Sequence, residues 1–313
     1  MSFSAEVKKE ALCAKITKPC CQKSFFLALL AFGGRILKKD GEWALSIFCD
    51  SEEFAKIISH SAQKLFDAKV RICEIKKSKG IFFEAGIFSE AEIMKVLRPL
   101  MLAENSVSEL INFHADERLV QKSCCRKAFI KGAFLMCGTV IDPEKRYHLE
   151  FVTPHCVLSE DFFRILRKEN LKAKRIVRKS NYVLYFKQGD DIADILGICG
   201  SVKRLMDFHN IRILKDMRNN VNRIVNCESA NMDKTIDAAF KQTECIEFLK
   251  KSGALDSLSP ALKEIATLRL ENAELSLSEL GKLVTPNLTR SGVNHRLKKL
   301  CSLAEKLKSE KDG

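Results

Sequence analysis

The spacing of apolar residues along this chain changes in the same order in two places. A continuous apolar stretch from Phe25 to Phe32 gives way to an alternating segment, Ala44-Leu45-Ser46-Ile47-Phe48. Phe54, Ile57, Ile58, Leu65 and Phe66 then follow at helical spacing. The order returns further along the chain. Ala128 to Met136 is continuous, His148-Leu149-Glu150-Phe151-Val152 alternates, and Phe162, Phe163, Ile165, Leu166 and Leu171 fall on a helical face. Short strands close each set, Val70 to Cys73 and Ile81 to Phe83 in one, Ala173 to Ile176 and Tyr182 to Tyr185 in the other. Helices over Glu90 to Leu97 and Asp190 to Ile198 end the two sets. The pattern predicts an α-β-α-β-β-α unit, or a close relative, repeated twice within an α+β fold.

The rest of the chain is helical in pattern. Pro99 ends a helix, and Glu104 to Asp116 is expected as a short helix of the connector between the repeats. Residues 206–252 read as a helical linker, with a break expected over Cys227 to Asn231. Gly253 marks a helix C-terminus and opens an all-α domain. Ser259-Pro260 is an N-cap followed by proline at the first helical position, and Ser276-Leu277-Ser278-Glu279 is a capping box. A short helix to Val284, a turn Thr285-Pro286-Asn287-Leu288 and a helix from Thr289 to about Lys306 complete it. The predicted domains are therefore 1–205, with halves of about 1–98 and 121–205, then 206–252 and 253–313.

On the last helix, Val293, Leu297, Leu300 and Ala304 form one stripe to be buried. At 100° per residue, Ser291, His295, Lys298 and Lys299 fall near the opposite face, with Arg290 and Asn294 at its N-terminal end. A short helix, a tight turn and a helix of this kind make a helix-turn-helix, here about Ser276 to Lys308, whose second helix enters the major groove of DNA. Arginine can fork onto guanine and asparagine onto adenine, while lysine suits phosphate. Arg290, Ser291, Asn294, His295, Arg296, Lys298 and Lys299 are the candidate DNA-binding residues.

Charge agrees with a polyanionic partner: 53 Lys and Arg against 40 Asp and Glu leave +13. The excess is strongest from Lys122 to Lys179, and Lys172, Lys174, Arg175 and Arg178 are taken as a secondary basic surface. No apolar run is long enough for a membrane span, and charged residues at the N-terminus occupy the place of a signal-peptide core. A cytoplasmic, nucleoid-associated monomer is expected. In that compartment the 13 cysteines are expected to stay reduced and not to form disulfides. The doublets Cys20-Cys21 and Cys124-Cys125 lack the C-x2-C spacing of a zinc site. Cys13, Cys49, Cys73, Cys156, Cys199 and Cys245 lie among apolar neighbours as small hydrophobes. No metal or cofactor is expected, and a zinc site pooled from the two doublets is the alternative.

Two stretches carry a resemblance. Phe26-Leu27-Ala28-Leu29-Leu30-Ala31-Phe32-Gly33-Gly34-Arg35-Ile36 and Ile130-Lys131-Gly132-Ala133-Phe134-Leu135-Met136-Cys137-Gly138-Thr139-Val140 are similar to the LAGLIDADG helix of homing endonucleases. The resemblance implies a pseudo-twofold duplicated LAGLIDADG-like domain whose two helices pack at the pseudo-twofold interface through small residues, here Ala28, Ala31, Gly132 and Ala133, with strands forming a saddle over DNA. It also implies a metal-binding carboxylate before the glycine of each motif, where this chain has Gly33 and Cys137. Asp40 and Asp142 lie too far beyond the helix ends to replace those groups. A hard cation needs oxygen ligands, so the saddle is expected to bind without cutting. The alternative is a metal-dependent DNA endonuclease.

Further blocks extend the resemblance over the whole chain. They are Phe3 to Glu10, Cys124 to Phe129, Asp142 to Glu150, Met217 to Glu228, Ala230 to Thr235 and Ser291-Gly292-Val293-Asn294-His295-Arg296-Leu297. Together with the paired repeat and terminal helix-turn-helix they resemble the WhiA family of bacterial transcriptional regulators, departing from it at Met136-Cys137, where small residues are usual. The resemblance implies a sequence-specific regulator of sporulation genes, or of cell division and chromosome segregation, without nuclease activity. It implies double-stranded promoter DNA and RNA polymerase sigma factor as partners.

Overall fold

The apolar stretches become helices that are buried on every side, as helices hydrophobic all round must be. In the computed structural model, which describes residues 2–39, 41–77, 80–110 and 113–309, these are α2 (Pro19–Gly33) and α5 (Ser123–Cys137). An additional helix precedes them, α1 (Phe3–Cys13), capped by the Ser2 hydroxyl on the Ala5 N–H. The first repeat continues through β1 (Gly34–Lys39), β2 (Glu42–Cys49), α3 (Glu52–Phe66), β3 (Arg71–Lys77), β4 (Gly80–Phe88) and α4 (Glu90–Leu97). The second has β5 (Gly138–Val140), β6 (Leu149–Thr153), α6 (Cys156–Lys168), β7 (Lys174–Arg178), β8 (Asn181–Phe186) and α7 (Gly189–Cys199). The two antiparallel sheets have the same order, β1-β2-β4-β3 and β5-β6-β8-β7.

Each repeat thus has one strand more than its apolar pattern shows. Gly34 and Gly138 follow the last helical residue directly in extended conformation, and their N–H groups still bond back to the Leu30 and Phe134 carbonyls. The glycines mark the helix ends, but with no loop between helix and strand the short strands that follow carry no alternating signal of their own. In the connector, Val107–Glu109 forms a single 3-10 turn in place of the expected Glu104–Asp116 helix, of which residues 111 and 112 lie outside the described residues. The Glu109 carboxylate there accepts from the N–H groups of Glu104 (2.7 Å) and Asn105 (2.9 Å), so a side chain satisfies backbone that a helix would have paired.

α2 and α5 cross through small residues, as expected. Ala28 and Ala133 are fully buried, and a methyl group added at Gly132 would lie 2.7 Å from Ala28 Cβ and 2.8 Å from the Phe25 carbonyl oxygen. Phe32 of α2 packs edge-on to Phe162 of α6 (5.2 Å between centroids), so the two halves share one core. α1 is tied to the second repeat: Ser4 Oγ accepts from the Val140 N–H (3.2 Å) and Glu10 accepts from the N–H groups of Lys203 and Arg204.

The chain divides into compact units of residues 1–215 and 216–313, which differs from the expected boundaries at 205 and 252. α8 (Val202–Lys251) contributes to both. Its Phe208 is buried in the first core, Arg212 pairs with Asp190 (2.8 Å) and Lys215 donates to the Pro143 carbonyl (2.7 Å). Its Cys245, Ile246 and Leu249 belong to the second core. The break expected over Cys227 to Asn231 is absent; the segment holds neither glycine nor proline, and Glu228 and Ala230 within it are good helix formers. The second unit adds α9 (Pro260–Glu271), α10 (Leu277–Leu283) and α11 (Arg290–Ser309). No helix among the described residues is long and apolar enough to cross a membrane.

Candidate nucleic-acid interface

The second unit builds its surface around one turn. α10 starts on the predicted capping box: the Ser276 hydroxyl accepts from the Glu279 N–H (3.3 Å) and the Glu279 carboxylate from the Ser276 N–H (2.9 Å). After α10, the Leu288 N–H donates to the Gly281 carbonyl (2.9 Å), and the Thr285 N–H to Glu264 on α9 (3.3 Å). The Thr289 hydroxyl accepts from the Gly292 N–H (3.2 Å), which starts α11. These bonds fix the angle at which α11 leaves the turn.

α11 is divided as its spacing requires. Val293, Leu297, Leu300 and Ala304 are wholly buried, while Arg290, Ser291, His295, Lys298 and Lys299 are exposed and Asn294 is half-buried. Its first turn carries no acidic residue. Arg296 is a correction: it is half-buried and its guanidinium donates to the Ala261 carbonyl (3.3 Å). It fastens α11 to α9 instead of joining the exposed face.

Arg269 escaped the sequence reading, although a charge in the apolar series Leu262, Ile265, Ala266 was its signal. It is 1% exposed and donates to the carbonyls of Ala273 (3.4 Å) and Leu275 (2.7 Å), closing the turn between α9 and α10. Burial draws its guanidinium below the usual arginine range, with Glu274 opposing the shift.

In the first unit, the C-terminal ends of α2 and α5 meet where the resemblance implies a metal-binding pair. A side chain at Gly33 would run into the Met136 methyl group, so that space is filled. Burial pushes the Cys137 thiol up to about 12, which keeps it protonated near neutrality. Burial lowers the Lys8 ammonium of α1, with the charges of Asp50 and Cys137 opposing the shift. Asp142 is used in its own turn, accepting from the Glu144 N–H (2.9 Å), and Asp40 lies outside the described residues.

The secondary basic surface does not form as one patch. Lys172, Lys174, Arg175 and Arg178 are all exposed. Register places Arg175 in the row of Leu184 and Phe151, on the face covered by helices, and it pairs with Glu160 of α6 (3.4 Å). Lys174 shares a row with Tyr185 and Glu150 on the open face, where Arg178 pairs with Glu150 (3.1 Å). Lys172 precedes the strand. The period of two splits residues that are adjacent in sequence.

The profile of the WhiA LAGLIDADG-like domain matches residues 22–118 and 126–218, and that of the WhiA C-terminal HTH domain matches residues 221–304. "Probable cell division protein WhiA" of Caldicellulosiruptor saccharolyticus is 37% identical over 98% of this chain and 96% of its own length. The protein of that name from Lachnoclostridium phytofermentans is 39% identical over 98% of this chain and all of its own length. Among solved structures, the full-length DUF199/WhiA from Thermatoga maritima shares the fold, with a TM-score of 0.58, 24% identity, and coverage of 98% of this chain and 99% of that one.

Proposed function

Since the chain belongs to the WhiA family, we propose that it is a sequence-specific, DNA-binding regulator of transcription that reads promoter DNA with α11 and cuts none. The observation that carries this reading is the division of α11. Its four apolar residues are buried, its first turn is free of acid, and Arg290, Ser291, His295, Lys298 and Lys299 are exposed. Arg290 and Asn294 stand one helical turn apart at the end that enters the groove first, with guanine and adenine edges as their partners. Lys298 and Lys299, further along, supply phosphate contacts that set register and affinity without reading sequence. The relatives named for cell division support a role in cell division or chromosome segregation, or in sporulation. Contact with RNA polymerase sigma factor and a nucleoid location in the cytoplasm belong to the same proposal and rest on the family resemblance.

The absence of cleavage is supported by Gly33 and Cys137 at the positions of the metal-holding carboxylates and by Met136 in the intervening space. A magnesium-assisted phosphodiester displacement needs hard oxygen ligands there. Genome-wide mapping of bound fragments followed by anisotropy titration tests the reading. Arg290→Ala and Asn294→Ala should each weaken binding to the selected fragment by about 1–3 kcal/mol and leave binding to random duplex nearly unchanged. Unaltered specific affinity in both variants would remove α11 as the reader.

A further inference from the structure

The two cysteine doublets occupy the same helical positions in the two repeats. Cys20 and Cys21 are the second and third residues of α2, and Cys124 and Cys125 the second and third residues of α5. The helices run parallel, since Gly33 meets Met136 at one end and the doublets meet at the other. All four sulfur atoms lie within 4.8 Å of one another, and Cys20 Sγ is 3.9 Å from Cys21 Sγ. A tetrahedral ion with metal–sulfur bonds of about 2.3 Å separates its thiolates by about 3.8 Å. An iron–sulfur cluster distributes its thiolates over different irons and needs a wider set. We propose that Cys20, Cys21, Cys124 and Cys125 bind one zinc-class ion that clamps the two repeats together across their pseudo-twofold axis.

The surroundings suit a tetrathiolate. Such a site carries two net negative charges, and it would sit at the N-terminal ends of two helices, the positive ends of their dipoles. Both helices start without a side-chain N-cap, and the N-cap residues are themselves cationic, Lys18 and Lys122. Cys21 and Cys125 are buried, Cys124 is partly covered and Cys20 is exposed, so the site has a dry interior and a way in. As a free thiol Cys21 is pushed up to about 12 by burial and by the neighbouring sulfurs, and Cys125 is raised for the same reasons. The ion therefore replaces protons, and affinity should fall as pH falls. Vicinal spacing hides the site in the sequence, because neither doublet alone supplies a zinc pair and the other half comes from the second repeat.

The test uses the full chain purified under reducing conditions with zinc supplied. The expected results are one zinc per chain after exhaustive dialysis and, on replacement with cobalt, the intense visible absorption of a tetrahedral tetrathiolate. Cys20→Ser combined with Cys124→Ser should abolish both, whereas Cys73→Ser combined with Cys156→Ser, at exposed positions outside the cluster, should keep both. Chelation should lower the Tm of the wild-type chain by roughly 10 °C, the shift given by a thousandfold excess of free ion over its dissociation constant in a domain of this size. Metal well below one equivalent, a weak octahedral cobalt spectrum, or a mass showing disulfides between these cysteines under reductant would overturn the proposal. The cobalt spectrum of the wild-type chain decides the matter if the cluster variant fails to fold.

Discussion

Gly281→Ala probes the turn on which the whole interface depends. The Gly281 carbonyl accepts from the Leu288 N–H at 2.9 Å, so the two backbones are already in contact. A methyl group at this position would collide with the Leu288 carbonyl oxygen, and it would lie 3.2 Å from that carbonyl carbon and 3.3 Å from Val293 Cγ2. The obstruction is backbone and cannot rotate away. Overpacking of this kind costs about 1–3 kcal/mol, and the displaced hydrogen bond about 1 kcal/mol more. Replacing a helical glycine by alanine returns about 1 kcal/mol. The net effect should be destabilisation by about 1–3 kcal/mol, and α11 should be turned away from its docking angle. Gly292→Ala is the control: its nearest new neighbours are at 3.6 Å, an ordinary contact, so the same chemical change should stabilise by about 0.5–1 kcal/mol. The assay is chemical denaturation of the full chain, with hydrogen exchange of the α10 and α11 amides to report on this unit and anisotropy to follow promoter binding. If Gly281→Ala stabilises as much as Gly292→Ala and leaves binding intact, the close approach is not what holds the turn.

The open face of the second sheet gives a second expectation. Lys174→Ala and Arg178→Ala together should reduce the salt dependence of binding to any duplex, whereas Arg175→Ala, on the helix-covered face, should not; an equal effect from Arg175 would show that both faces meet DNA. Supercoiled DNA incubated with the protein and magnesium or manganese should remain unnicked, and turnover in that assay would restore the endonuclease reading. Together with the α11 substitutions and the cobalt titration, these experiments address the reader, the saddle and the clamp separately.

Much of the architecture was legible because it follows from local periods. The change from continuous to alternating to helical spacing marked the duplication. The series Val293, Leu297, Leu300, Ala304 marked the buried side of α11, and all four are wholly buried. The capping box of α10 formed as its residues require. Legibility failed where a local signal was absent or was outvoted. β1 and β5 follow their helices with no intervening loop, and Cys227 to Asn231, with no glycine or proline, do not interrupt α8. Arg296 was counted with the exposed residues although 100° per residue sets it beside Leu300 on the edge of the buried stripe, and its guanidinium reaches α9.

The residues along the chain settled which segments are helix or strand and which side of each is apolar, because those properties depend on neighbours three or four positions away. They also settled that Gly33 and Cys137 provide no carboxylate. Packing decided what depends on partners far apart in sequence. It filled the space beside Gly33 with Met136, paired Arg175 with Glu160 of α6, and gathered Cys20, Cys21, Cys124 and Cys125 at one end of a helix pair. A period tells where a side chain points from its own backbone; only the crossing of α2 and α5 through Ala28 and Gly132 decides which side chains it finds there.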